Sequence, residues 1–138
     1  MMISTRGRYA LRVMIDLAEQ GGESYIPMKD VAARQGISLK YLEKILPVLT
    51  KNHMIEGVQG KGGGCRLTRQ PSEYSVWEIL RLTEGDLAPV ACLEESAAGA
   101  CGRSAECRTF PMWQKFYEMM NEYFDSITIS DLMQKQSL

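Results

Sequence analysis

The chain has 138 residues, 45% of them apolar, and a formal net charge of −1. That is about one domain, long enough to bury a core without disulfide staples, and no apolar run approaches the roughly 18 residues of a membrane span. With one histidine and no nucleophile beside a base, acid–base catalysis has little to work with, so an enzyme is not expected. The first residues, MMISTRGRYA, hold no apolar secretory segment, which points to the cytoplasm, where thiols stay reduced. The small net charge hides two unlike halves, because residues 1–69 carry +5 and residues 70–138 carry −6. A polyanionic partner would meet the first half.

Ala10, Val13, Met14, Leu17 and Ala18 recur at helical spacing over Thr5–Glu19, with Ser4 or Thr5 as cap and Gly21–Gly22 as stop. A short helix follows in IPMKDVAARQG, with Pro27 at its first position, Val31 and Ala32 inward, and Gly36 ending it. Ser38 then caps an amphipathic helix with Leu39, Leu42, Ile45, Leu46 and Leu49 on one face. Two helices joined by a tight glycine turn are the helix-turn-helix pattern. Pro47 removes a backbone hydrogen bond, so a kink or break is expected near Glu43–Leu46.

Ile55, Val58, Cys65 and Leu67 flank the tip GKGGG and predict a β-hairpin, a wing directly after the helix-turn-helix. SVWEILRLTEG is a short helix with Val76, Ile79, Leu80 and Leu82 inward and Gly85 as stop. The next segment predicts a loop with Cys92, Cys101 and Cys107. From Pro111 a long helix shows a wide apolar stripe of Met112, Trp113, Phe116, Met119, Met120, Tyr123, Phe124 and Ile127, which needs a second surface to cover it. The expected fold is mainly α with a small β-hairpin wing. It divides into a winged helix-turn-helix over 1–85, a sensor loop over 86–110, and a dimerisation helix with tail over 111–138.

In such a fold the second helix enters the major groove with its first residues nearest the bases. Here these are Ser38, Leu39, Lys40 and Tyr41, which supply a hydroxyl, an ammonium and apolar surface for thymine methyl groups. Lys40, Lys44 and Lys51, with Arg6 and Arg8 at the start of the first helix, would face phosphates. In the wing, Gln59, Lys61 and Arg66 flank a glycine tip thin enough to approach a minor groove.

The segments ISTRGRYALRVMIDLA, ISLKYLEKIL, VQGKGGGCRL, CRTFPMW and ITISDL resemble the IscR/NsrR/CymR-type family of bacterial winged-helix regulators. The resemblance implies a homodimer on a palindromic double-stranded DNA operator, with repression the expected output. It implies a dimer interface on the long helix, here Trp113, Phe116, Met120, Tyr123, Phe124 and Ile127. It also implies an iron–sulfur cluster, [2Fe–2S] or [4Fe–4S], on Cys92, Cys101 and Cys107. Eight residues separate the first pair and five the second.

Places that supply a fourth ligand in parts of that family hold Phe110 and Arg8 here, neither of which ligates. Glu94, Glu95, Glu106, a small thiol or water are the remaining candidates. Soft thiolates suit a cluster, whereas closed zinc sites want cysteine pairs two to four residues apart. Arg103 and Arg108 beside the loop leave open a cluster-free thiol switch. Cys65, on a strand, reads as a small buried hydrophobe.

Overall fold

A computed structural model describes residues 2–97 and 101–133. Residues 98–100 of the expected sensor loop and 134–138 of the expected tail lie outside them. Helix α1 spans Thr5–Gln20, and the Ser4 hydroxyl accepts from the N–H of Gly7 at its start. Helix α2 spans Met28–Gln35, with Pro27 just outside it rather than at its first position, and ends at Gly36 with φ 63°. That left-handed turn is cheap only for glycine and swings the chain into α3, Leu39–Lys51. Ser38 caps α3 by accepting from the N–H of Tyr41.

Helix α3 runs through Pro47 without the expected break. Glu43 and Pro47 are both exposed, so water can take the hydrogen bond that proline leaves unmade. Leu42, Ile45 and Leu49 are fully buried on the opposite side and hold the helix to the core.

Strands β1 (Ile55–Val58) and β2 (Gly64–Leu67) pair antiparallel, with Ile55 opposite Leu67 and Val58 opposite Gly64. They form the wing. Its base is fixed by Tyr74, which is fully buried. The Tyr74 hydroxyl donates to the Met54 carbonyl at 2.7 Å and accepts from the N–H groups of Thr68 at 3.0 Å and Arg69 at 2.9 Å. Helix α4, Val76–Glu84, follows a Ser75 cap and stops at Gly85, φ 78°.

Two short 3₁₀ turns, Ala91–Leu93 and Glu95–Ala97, occupy the start of the cysteine segment. Helix α5 then spans Phe110–Ser126 and α6 spans Ile129–Met133. Helix α1 is the centre of the main core, where Val13 and Met14 meet Leu42, Ile45, Ile79 and Ile129. A second cluster joins Val76, Leu80, Leu87 and Ile127 to Trp77, Tyr117, Met120 and Phe124.

The core therefore crosses the boundary expected at residue 111. After α5 the chain folds back, and Thr128 bridges Ser75. The Val76 N–H donates to the Ile127 carbonyl at 2.8 Å, and the Ile129 N–H donates to the Tyr74 carbonyl at 3.0 Å. Thr128 and Asp131 cap α6 reciprocally, each backbone N–H donating to the other's side chain.

Candidate nucleic-acid interface and sensor loop

Every residue expected at the DNA lies on α3 or its Ser38 cap, the wing or α1 near its start. Leu39 is 43% exposed, a large apolar side chain left in solvent at the first turn of α3. Lys40 and Lys44 are exposed beside it. The Ser38 hydroxyl spends its lone pair on the α3 cap, which leaves its O–H free to donate outward. Tyr41 is half-buried, with its ring edge-on to Tyr9 of α1 at 5.4 Å. Arg6 is exposed, and Arg8 donates to the Thr5 hydroxyl one turn back.

Gln59 and Lys61 are exposed at the wing tip, where Gly60 and Gly62 both have positive φ. Only glycine adopts that backbone freely, so the tip stays thin. Arg66 also makes contacts within the chain. Its guanidinium pairs with Glu56 at 2.6 Å, donates to the Glu23 carbonyl at 2.7 Å, and lies 4.4 Å over the Tyr25 ring. These contacts knit the wing to the segment before α2.

The apolar stripe of α5 divides into two faces. Tyr117, Met120 and Phe124 turn inward against α4, and Ile127, just past the helix, is 7% exposed in the same cluster. Met120, Phe124 and Ile127, expected at the dimer interface, thus pack against the chain's own second core cluster. Met112, Phe116, Met119 and Tyr123 point outward and are 45–57% exposed. Their 4-3-4 spacing is that of a helix-pairing seam. Trp113 is half-buried with its ring 6.4 Å from Phe116, at the border of the two faces.

Cys92, Cys101 and Cys107 are free thiols of intermediate exposure. Among the described residues no three His, Cys, Asp or Glu side chains converge on one metal position. Cys92 sits on the first 3₁₀ turn, and the second, which opens at Glu95, is tied to α4. The Asp86 carboxylate accepts from the N–H groups of Ala88 at 2.8 Å and Glu95 at 2.7 Å, and Arg81 donates to Glu95 at 2.9 Å. Burial pushes the Asp86 carboxyl up, but those N–H groups and Arg81 outweigh it and hold it below its ordinary value.

Cys107 lies two residues before the α5 cap, with its sulfur 3.3 Å from the Thr109 hydroxyl. That hydroxyl, the N–H groups of Thr109 and Phe110, and Arg103 hold its thiol below the ordinary range. Burial pushes the Cys65 thiol up. Metal-free, reduced protein at neutral pH should therefore be alkylated by iodoacetamide at Cys107 before Cys65, because the thiolate is the reacting form. Peptide mass spectrometry on timed quenches reads the order, and equal rates would remove Cys65 from the core.

Beside the first turn of α3, five residues not singled out in the sequence, Tyr9, Arg12, Asp16, Arg34 and Gln35, contact one another across α1 and α2. A charged residue between Met14 and Leu17 on the apolar face of α1 was the available signal.

Residues 3–135 match the model of the Rrf2 family, described as iron-dependent transcriptional regulators. The chain belongs to the Rrf2 family. It is 38% identical to the protein rrf2 of Nitratidesulfovibrio vulgaris, over all of this chain and 91% of that one. It is 30% identical to the HTH-type transcriptional regulator IscR of Klebsiella pneumoniae, over all of this chain and 83% of that one. The solved structure of CymR, the global cysteine regulator of B. subtilis, superposes with a TM-score of 0.81 at 30% identity, covering 99% of each chain. As a member of the Rrf2 family the protein is a DNA-binding transcriptional regulator with a winged-helix fold, and not an enzyme. Among the described residues no helix is long and apolar enough to cross a membrane.

Proposed function

We propose that this regulator binds a palindromic operator as a homodimer, and that an iron–sulfur cluster on Cys92, Cys101 and Cys107 sets its affinity. One observation carries the reading: three half-exposed thiols lie on the segment joining α4 to the helix whose outer apolar face has no cover among the described residues. The donor set fits the group chemically, since three soft sulfurs suit iron–sulfur ligation. The described cysteines do not converge, so the loop would have to close to hold it. When bound, the cluster supplies a redox- and iron-sensitive crosslink of the loop.

The chain's own residues then carry the response. Asp86 and Arg81 hold the turn that begins at Glu95, three residues after Cys92, against the end of α4. Cys107 directly precedes α5. A change in loop closure therefore pulls on both helices, and α5 sets the separation of two recognition helices that must meet half-sites about one DNA turn apart. Repression is the expected output. A cytoplasmic setting is consistent with four free thiols.

A second reading rests on Cys107. Its lowered thiol favours a cluster-free switch in which oxidation of this residue alters the loop. One measurement separates the two. Protein purified without air should be coloured and contain iron and acid-labile sulfide. It should bleach on Cys→Ala substitution at any of the three loop positions. Colourless, iron-free protein whose DNA affinity instead follows thiol oxidation would establish the second reading.

A further inference from the structure

Asp16 is the one buried charged side chain among the described residues, at 2% exposure. It lies on α1 but faces α2. Arg34 grips both carboxylate oxygens, donating Nη2 at 2.7 Å and Nε at 3.0 Å, and the Gln35 amide donates to the same carboxylate at 2.9 Å. Gln35 in turn accepts from the Arg12 Nε at 3.1 Å on its side-chain oxygen, and its backbone carbonyl accepts from the Arg12 Nη2. Arg12 covers the Tyr9 ring at 5.1 Å, and Tyr9 meets Tyr41 edge-on. A connected strip of polar and aromatic contacts thus runs from the far end of α2 to the first turn of α3.

Stability is a poor explanation for this strip. Removing a carboxylate from water is costly, and an ion pair offsets that cost only when its geometry is good. What the pair supplies is direction, because a fork-to-fork contact works in one orientation whereas apolar contact does not. Direction is what α2 lacks. Val31 is its only fully buried residue, so apolar packing leaves its rotation on α1 weakly specified. Helix α2 passes into α3 through Gly36, Ile37 and Ser38, so its rotation sets where Leu39, Lys40 and Tyr41 point.

We infer that Asp16, acting through Arg34, Gln35 and Arg12, is a positioning residue for sequence reading: it aims the first turn of α3 and touches no DNA itself. The inference rests on α3 being the base-reading helix. It assigns the strip to discrimination between sequences and not to general affinity, which phosphate contacts dominate.

The test uses the full chain and two duplexes of equal length. One is selected from a random pool by the wild-type protein and the other is its scrambled sequence. Asp16→Asn should weaken binding to the selected duplex about tenfold or more, one lost base contact or its equivalent. Binding to the scrambled duplex should change by less than about twofold, with the same salt slope. Arg34→Met should behave alike. Should Asp16→Asn melt out by circular dichroism, Gln35→Met takes its place, since it leaves the Asp16–Arg34 pair intact. A folded variant that keeps wild-type discrimination overturns the inference, as does equal loss on both duplexes, the mark of plain destabilisation. If the wild-type protein selects no sequence at all, the base-reading role of α3 falls and this inference with it.

Discussion

Phe116→Glu together with Met119→Glu should turn the protein into a monomer and lower its operator affinity by about a hundredfold or more. The reasoning starts from exposure. Phe116 is 45% and Met119 57% exposed in the single chain, and they occupy the centre of the outward seam between Met112 and Tyr123. A seam of large apolar side chains at this spacing pairs with its own copy. Placing two carboxylates on each side of a two-fold interface sets like charges against one another without water to screen them. The chain's own fold should survive, because neither side chain belongs to a core cluster.

The DNA effect follows from linkage. Two heads joined in one particle gain about two to four orders of magnitude over one head, provided both half-sites can be reached together. Light scattering and binding to the selected duplex check the prediction. A double variant that stays dimeric at wild-type affinity would move the interface to another surface.

The second large effect is on stability. Ile129→Ala should cost about 2–5 kcal/mol, the range for a fully buried aliphatic side chain cut back to a methyl group. Ile129 is fully buried in the main core with Val13, Met14 and Ile79. Its neighbours are held by backbone bonds on both sides: Val76 to Ile127, and Ile129 to Tyr74. They have little freedom to close the space. Total stability for a domain is about 5–15 kcal/mol, so the loss is a large share of it. Urea unfolding monitored by circular dichroism reads it directly. A change under about 1 kcal/mol would mean that α6 detaches alone and that the winged helix is sound without it.

That prediction also marks where the sequence was easy to read and where it was not. The helices, the hairpin and the stops at Gly36 and Gly85 follow from local signals, meaning period, caps and left-handed glycines, and all of these act within a few residues. The return of α6 is a long-range event. ITISDL holds two alternating apolar residues, and nothing in it says that the partner is a helix over a hundred positions earlier.

The same limit applies to α5. A stripe of eight apolar residues is visible, but which half faces home depends on where α4 lies. A break at Pro47 did not follow because the cost of a missing hydrogen bond depends on solvent access, which the chain's order does not reveal. The intrachain contacts of Arg66 were not legible because its three partners, Glu56 of β1 with Glu23 and Tyr25, are brought close only by the fold. The start of α3 was the most legible part, since a serine cap followed by exposed Leu39 and Lys40 is a purely local pattern.

The two apolar faces of α5 have a mechanical consequence. Spinning the helix about its long axis would drag Tyr117 and Phe124 into water while pressing the seam against α4. Such twisting is therefore strongly resisted, and α4 and α5 must travel as one lever. A displacement at the start of α5 would then tilt or slide both helices together and would not roll one against the other.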